Sequence, residues 1–295
     1  MSSPQCEVFS KWSKAFYSAR HKLLAIRRQE GIEEIKRKGV IIDKEVPLKI
    51  YLKFCKEEPP ISVKHHLIDG KIEAYEMPLD LHGAVQGKLT AIIGNWNDQL
   101  VVFGEIDIIV GANSVYHPDI CVRPINRRRP QLAQAINSTG NPYTTLVVEI
   151  GSTESLNHMH DKVANYFSQR TTIQIYIAIK LFPSRQNGTF ALLALLYLRN
   201  DLNPTIPSVA KSFGTAPLHP ITQAYLKDTL HVQPIYGVEF GGVPCDDANI
   251  PQYQIEISTA LLFNDVLSGV PTGIPDNFTI DLWKLKNVIQ VVQDN

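Results

Sequence analysis

The chain has 295 residues, of which 44% are hydrophobic and 20% are charged, and its formal net charge is +0. This length suffices for one large domain with extensions or for two small domains. The balanced charge excludes a molecule-wide basic field of the kind that attracts nucleic acid, so such a contact requires a local patch. The four cysteines lie far apart, which argues against a zinc site or a disulfide framework and favours a reducing compartment, cytoplasm or nucleus. The longest apolar run, residues 190–198, is too short to span a membrane.

Residues 7–38 are predicted to form a basic amphipathic helix. Apolar residues recur at alternating steps of three and four from Phe9 to Ile26. Nine Lys/Arg and three Glu between residues 11 and 38 leave a local excess of six positive charges. The stripe favours a helix docked on its own domain. The alternatives are an arm that binds nucleic acid or a partner, and a homodimer formed through the stripe.

The middle of the chain alternates strand-like and helical patterns. Asp69-Gly70 predicts a hairpin turn, and residues 81–96 predict a helix with Asp80 at its N-cap. Strand, strand, strand, helix, strand and strand are then predicted at residues 100–111, 115–124, 144–151, 155–169, 173–182 and 189–200. From residue 81 the order is therefore helix, three strands, helix and strand, which is typical of a mixed α/β fold.

The remaining residues are predicted to extend this core at both ends. Residues 201–295 are richer in Pro and Gly and suggest further strands and one terminal helix. The predicted division is an N-terminal helical extension (1–55), a core (56–200) and a C-terminal extension that packs on the core (201–295).

Two acidic residues stand inside runs that otherwise favour buried strands: Asp119 in HPDICV and Glu149 in LVVEIG. An unpaired carboxylate in such a position costs several kcal/mol, so a shared cation is the best explanation for two of them. Mg²⁺ prefers oxygen ligands, often one or two carboxylates, and the backbone carbonyl of Ile150 can add another. A turn residue at the start of a strand is the alternative for Asp119, and a structural ion pair is the alternative for Glu149.

Lys162 lies on the helix that follows the second acid, roughly 90° from the centre of its apolar stripe. From this border position an ammonium group can reach over the sheet edge and stabilise charge on a phosphate. A lysine that merely extends its head to water is the alternative. His158 and His160 on the same helix face different ways, so these two are not expected to share a zinc ion.

Three consecutive arginines, Arg127, Arg128 and Arg129, form a local basic group between two predicted strands. Such a group can contact the phosphate backbone of nucleic acid. A solvated loop is the more favoured interpretation.

These stretches together resemble the PD-(D/E)XK nuclease superfamily and, within it, the Uma-two group. The resemblance covers about residues 60–182 and rests on LIDGKIEAYEMP, LHGAVQGKL, HPDICV and LVVEIGSTESLNHMHDKVANYF. It implies a restriction-endonuclease-like core, α-β-β-β-α-β, with a mixed central sheet flanked by helices. It also implies a Mg²⁺- or Mn²⁺-dependent endonuclease that hydrolyses phosphodiester bonds of DNA, with Asp119 and Glu149 as metal ligands.

The sequence departs from the superfamily pattern at the position of the catalytic lysine. That lysine usually stands two residues after the second acid, where this chain has Gly151. Lys162 resembles the relocated lysine that some members carry on the following helix. His82 resembles a histidine found at the start of the first helix in relatives.

A further departure concerns the acid that many members carry on or before the first helix. Helix 81–96 contains no acid, and His66 stands at the expected strand position. The candidate replacements are Glu73, Glu76, Asp80 and Glu105. Nothing in the sequence favours one of them over the others. The departures motivate an alternative function, a catalytically degenerate nuclease-fold module that binds nucleic acid or a protein partner.

Overall fold

The computed structural model describes residues 4–26, 39–57, 61–128 and 143–294. Its α-helices are α1 (Pro4–Ile26), α2 (Leu48–Glu57), α3 (Asp80–Gly94), α4 (Leu156–Tyr166), α5 (Pro220–Ala224), α6 (Thr259–Leu262) and α7 (Leu282–Asp294). Its strands are β1 (Val40–Asp43), β2 (Lys64–Ile68), β3 (Lys71–Glu76), β4 (Leu100–Phe103), β5 (Ile108–Gly111), β6 (Ser114–Tyr116), β7 (Ile120–Pro124), β8 (Leu146–Gly151), β9 (Ile175–Leu181), β10 (Ala191–Leu198), β11 (Val209–Gly214), β12 (Ile235–Gly237), β13 (Gln254–Ser258) and β14 (Asn277–Asp281). None of the helices in these ranges is both long and apolar enough to cross a membrane.

A seven-stranded mixed sheet forms the centre of the molecule, in the order β12-β11-β10-β9-β8-β7-β4. Strands β8 and β9 pair in parallel, whereas β7 pairs antiparallel with both β4 and β8. Apolar side chains of α3 and α7 pack on one face of this sheet, and those of α4 pack on the other. The predicted mixed α/β architecture, with a mixed central sheet flanked by helices, is confirmed.

Two of the predicted strands are each divided into two. The backbone turns after Phe103, and Glu105 adopts a φ of 45°, so the 100–111 run forms β4 and β5 in different sheets. The 115–124 run is likewise divided into β6 and β7. The prediction of two unbroken strands was therefore wrong, because β5 and β6 form a hairpin that leaves the large sheet. Once this hairpin is set aside, α3, β4, β7, β8, α4 and β9 retain the predicted element order.

A second, five-stranded sheet with the order β1-β3-β2-β6-β5 lies beside the first. The Asp69-Gly70 turn joins β2 to β3 with positive φ at both residues, which confirms the predicted hairpin. One face of this sheet packs against α1 and α2 through the cluster that contains Trp12, Phe16 and Phe54.

Helix α1 is docked on its own chain. Its apolar stripe is buried, and the indole nitrogen of Trp12 donates a 2.7 Å hydrogen bond to Asp43. Self-association through this stripe would require α1 to separate from α2 and from the five-stranded sheet. The predicted helix ran to residue 38, but residues 27–38 lie outside the described ranges.

The C-terminal part of the chain packs against the core. Strands β11 and β12 continue the large sheet beyond β10, and α7 packs against α3. The division into 1–55, 56–200 and 201–295 stays a prediction.

One predicted detail at the start of α3 was wrong. The N-cap is Leu79, and Asp80 is the first helical residue.

Candidate active site

Asp119 and Glu149 lie close together where β7 begins. Ile120, the first residue of β7, pairs with Val148 in the antiparallel ladder of β7 and β8. Asp119 is the residue before β7, and one further step in this register brings it level with Glu149. Both residues are buried: Asp119 is 0% exposed and Glu149 is 1% exposed. The two acids predicted from the sequence are thus neighbours, and α4 covers Glu149 through Tyr166 and Lys162.

Asp119 is held by two basic side chains and one backbone group. Lys64 on β2 forms a short ion pair with Oδ1, and His82 Nε2 on α3 lies 2.8 Å from the same oxygen. The backbone N–H of Ile150 donates to Oδ2 at 2.7 Å. Ile150 thus contributes its N–H here, and the predicted role of its carbonyl as a metal ligand stays a prediction.

The two carboxylate oxygens of Glu149 differ in their partners. Its Oε1 accepts a 2.5 Å hydrogen bond from the hydroxyl of Tyr166 and lies 3.0 Å from Lys162 Nζ. Its Oε2 is buried and has no hydrogen-bond partner among the described residues. Lys162 also lies 2.9 Å from Glu154 Oε1 and sits over the ring of Tyr75. A buried carboxylate oxygen without a partner is the kind of atom that a bound cation satisfies.

We call Asp119, Glu149, Glu154, Lys64 and Lys162 the carboxylate–lysine cluster. Burial raises the pKa of Glu149, and Lys162 and Lys64 offset this only in part. Burial also opposes ionisation of Asp119, but Lys64 and His82 outweigh it and hold the pKa of Asp119 well below its usual range. Burial alone lowers the pKa of Lys162, yet attraction to Glu149 and Glu154 raises it above its ordinary value. Lys162 is therefore an ammonium ion at neutral pH.

His82 carries a positive charge for the same reason. Burial lowers its pKa, but Asp119, with additional help from Glu76, raises it to about 9. Its Nδ1 faces Glu76 Oε1 at 3.8 Å. The histidine at the start of α3 therefore stands between two carboxylates.

Glu76 shapes the loop that leads from β8 into α4. Its carboxylate accepts hydrogen bonds from the backbone N–H groups of Ser152, Thr153 and Glu154 and from the Ser152 hydroxyl. These bonds fix the position of Glu154, which in turn contacts Lys162. Of the candidates for the additional acid, Glu76 is the one buried beside the cluster.

Gly151 occupies the position where the superfamily usually has its lysine. A Cβ at this residue would lie 2.6 Å from Met159 Sδ and 3.3 Å from Glu154 Cβ. Helix α4 therefore fills the space that a side chain at 151 would need. Lys162, two turns along the same helix, supplies an ammonium to Glu149 instead.

The remaining predicted residues lie elsewhere. Glu105 is exposed and borders a cavity of about 310 Å³ whose walls include Lys64 and Tyr75. Asp80 is exposed at the start of α3. His66 and Glu73 face each other on β2 and β3.

The three predicted phosphate-contacting arginines differ from one another. Arg127 is 6% exposed, and its guanidinium donates to the carbonyl oxygens of Tyr143, Thr172 and Asn264. It is buried against these backbone groups, not presented on a basic surface. Arg128 is exposed, and Arg129 lies outside the described residues.

Three members of the site were not predicted from the sequence: Lys64, Glu154 and Tyr166. Lys64 begins a strand, and nothing local distinguishes it from a solvated lysine. Glu154 lies in a Ser-Thr-Glu-Ser stretch that is typical of a helix start. The hydroxyl of Tyr166 is on the apolar stripe of α4, where an aromatic residue is first interpreted as core. The tertiary fold brings Lys64 to Asp119, Tyr166 to Glu149 and Glu154 to Lys162.

One carboxylate oxygen of the site leaves room for a cation. Four carboxylates are buried here, those of Glu76 and of the three acids in the carboxylate–lysine cluster. Basic side chains lie against them, those of Lys64, His82, His158 and Lys162. The oxygen left without a partner among the described residues is Glu149 Oε2. Oxygen donors of this kind fit Mg²⁺ or Mn²⁺.

Comparison with known proteins gives a family match for the part of the chain that builds this site. Residues 49–188 match the Uma2 family, described as "Putative restriction endonuclease". A similar solved structure is that of "a putative nuclease belonging to DUF820 from Anabaena variabilis ATCC 29413", at 17% sequence identity and a TM-score of 0.40. The alignment covers 60% of this chain and 92% of that one. No curated protein matches the sequence.

Proposed function

Because residues 49–188 belong to the Uma2 family of "putative restriction endonucleases", we propose that this protein is a metal-dependent endonuclease that hydrolyses phosphodiester bonds of DNA. The observation that carries the proposal is the unpartnered, buried Oε2 of Glu149 next to Asp119, with Lys162 on the other oxygen. The succession α3, β4, β7, β8, α4, β9 supports a restriction-endonuclease-like core.

Asp119 and Glu149 are the residues that would hold Mg²⁺ or Mn²⁺. When bound, the ion supplies a lowered pKa for the attacking water and neutralises charge on the phosphate. Asp119 is fully ionised, since Lys64 and His82 depress its pKa. His82 donates to Asp119 Oδ1 and therefore orients that carboxylate.

Lys162 acts as a fixed positive charge. Because its pKa is raised, it does not accept a proton from water at neutral pH. An ammonium beside Glu149 stabilises the negative charge that develops on phosphate oxygens during hydrolysis. Its position is fixed by Glu154 and by the ring of Tyr75.

The acids of the carboxylate–lysine cluster are buried, so substrate can reach them only if the residues around them move. Lys64 lies against Asp119 and the ring of Tyr75 lies against Lys162, and these two residues are 7% and 3% exposed. The cavity of about 310 Å³ reaches these two residues from the outside. We propose that DNA approaches along this cavity and that Lys64 leaves Asp119 when a phosphate and a metal ion arrive.

The test is plasmid nicking by purified full-length protein with Mg²⁺ or Mn²⁺. We expect Asp119→Asn, Glu149→Gln and Lys162→Met to lower the rate by at least about 100-fold each. Glu256→Gln, a matched change at an exposed position on β13, is the control and should cut at the wild-type rate. Folding of each variant is checked by circular dichroism. No cutting by folded wild-type protein with either metal ion would contradict the proposal.

A catalytically degenerate nucleic-acid-binding module is the second candidate. It is favoured by the Lys64 ammonium, which pairs with Asp119 on the side where a divalent cation would bind. This function predicts DNA binding without cleavage, at an affinity that Glu149→Gln leaves unchanged. Replacing the exposed Lys14 and Lys22 of α1 by Gln should reduce the salt dependence of binding if α1 contacts the phosphate backbone.

A further inference from the structure

A second group of metal-ligating side chains lies outside the carboxylate–lysine cluster. His66, Glu73 and His158 each offer one ligand atom, and these atoms all lie within 4.8 Å of one another. They come from three elements, β2, β3 and the first turn of α4. His66 and Glu73 are directly opposite in the β2–β3 hairpin, and the His66 and His158 ring centroids are 5.0 Å apart.

The buried imidazole of His66 lacks the partners that such a group needs. The residue is 1% exposed. Its Nε2 is 3.7 Å from Glu73 Oε2, which is longer than a hydrogen bond. Its Nδ1 has no hydrogen-bond partner among the described residues.

The other two side chains are each oriented so that one ligand atom remains available. His158 Nδ1 lies 2.6 Å from Glu154 Oε1, which leaves Nε2 for a metal ion. Glu73 Oε1 accepts a 2.7 Å hydrogen bond from the backbone N–H of Gly39, which leaves Oε2. Metal-binding histidines commonly donate their second ring nitrogen to a carboxylate in this way.

We propose that His66, Glu73 and His158 form a binding site for a divalent transition-metal ion, Zn²⁺. Two imidazoles and one carboxylate are a ligand set that Zn²⁺ accepts and that Mg²⁺ does not favour. Ligand atoms about 2.1 Å from a tetrahedral ion are about 3.4 Å apart, so small side-chain rotations bring the three into place. The three proposed zinc ligands are separate from Asp119 and Glu149, the proposed ligands of Mg²⁺ or Mn²⁺.

The proposed zinc site connects the five-stranded sheet to α4. Glu154 contacts both His158 and Lys162, so the site borders the carboxylate–lysine cluster through one shared carboxylate. A zinc ion bound here would link β2 and β3 to α4, the helix that carries Lys162. Bound zinc therefore stabilises the arrangement in which Lys64 lies against Asp119 and the ring of Tyr75 lies against Lys162.

The test is titration of EDTA-treated, untagged full-length protein with Co²⁺, followed by its visible absorption, and competition by Zn²⁺. With excess Mg²⁺ present to fill the site at Asp119 and Glu149, we expect one equivalent of Co²⁺ to bind to the wild type with the spectrum of a tetrahedral site. His158→Asn and Glu73→Gln should lower the affinity by at least about tenfold.

Two control variants distinguish this site from its surroundings. His160→Asn changes a histidine on the same helix whose ring faces Tyr197, and it should bind zinc as the wild type does. Glu149→Gln should also retain zinc, since Glu149 belongs to the other site. The proposal is overturned if the wild type binds no stoichiometric zinc, if His158→Asn and Glu73→Gln bind it with unchanged affinity, or if Glu149→Gln alone loses it. None of these outcomes depends on nuclease activity.

Discussion

Replacing Lys162 by Met tests whether its ammonium group is what makes the buried acids tolerable. Lys162 is 1% exposed and lies 3.0 Å from Glu149 and 2.9 Å from Glu154. At an effective dielectric constant of about 20, each pair of unit charges at this distance attracts by about 5 kcal/mol. Desolvation of the ammonium group offsets several kcal/mol of this gain. Since two carboxylates lose their partner, we expect a loss of about 3–5 kcal/mol in the free energy of unfolding at pH 7.

The assay is urea unfolding followed by circular dichroism, at pH 7 and at pH 5. The loss should be smaller at the lower pH, because burial raises the pKa of Glu149 and protonation of this carboxyl removes one of the two charges that Lys162 neutralises. Lys88→Met, the same change at an exposed position of α3, is the control and should stay within about 0.5 kcal/mol of the wild type. A Lys162→Met protein within 1 kcal/mol of the wild type at pH 7, with an unchanged denaturant slope, would refute this reasoning.

Two further changes probe other charged groups of the same core. The pKa of His82 is raised to about 9, so its stabilising contribution is complete below about pH 6.5 and is lost as the pH rises through about 9. We therefore expect His82→Asn to be less stable than the wild type by about 3 kcal/mol at pH 6, and thermal unfolding should show this difference closing towards pH 10; a difference independent of pH contradicts the assignment of charge to His82. Arg127→Met leaves several buried carbonyl groups without donors and should cost about 3 kcal/mol or more in urea unfolding, whereas Arg128→Met, at an exposed position, should cost less than about 0.5 kcal/mol. Equal effects of the two arginine changes would contradict the structural role of Arg127.

Two buried acids do not by themselves require a shared cation, and Asp119 lies just before β7, not within a strand. Charge compensation is indeed present, but protein side chains supply much of it: Lys64 and His82 face Asp119, and Lys162 faces Glu149. A buried acid in a strand therefore indicates a positive partner without specifying a metal ion. The unpartnered oxygen of Glu149 is the observation that goes further and favours one.

Local sequence patterns determined a large part of the fold. Apolar periodicity located α3 and α4, β-branched runs located β8 and β9, and Asp69-Gly70 located the β2–β3 turn. These elements follow from interactions between residues close in the chain, which is why the pattern suffices. The same patterns singled out Asp119 and Glu149, because an acid interrupts an otherwise apolar strand.

Only the tertiary structure decided which distant residues meet these acids. Lys64 is 55 residues from Asp119, and His66 is 92 residues from His158, so no local pattern links either pair. The division of the 100–111 run between two sheets also depends on pairing partners that lie elsewhere in the chain. Short-range sequence determined where each strand and helix forms, whereas long-range packing decided which charges are buried together, since burial and charge pairing are properties of the assembled core.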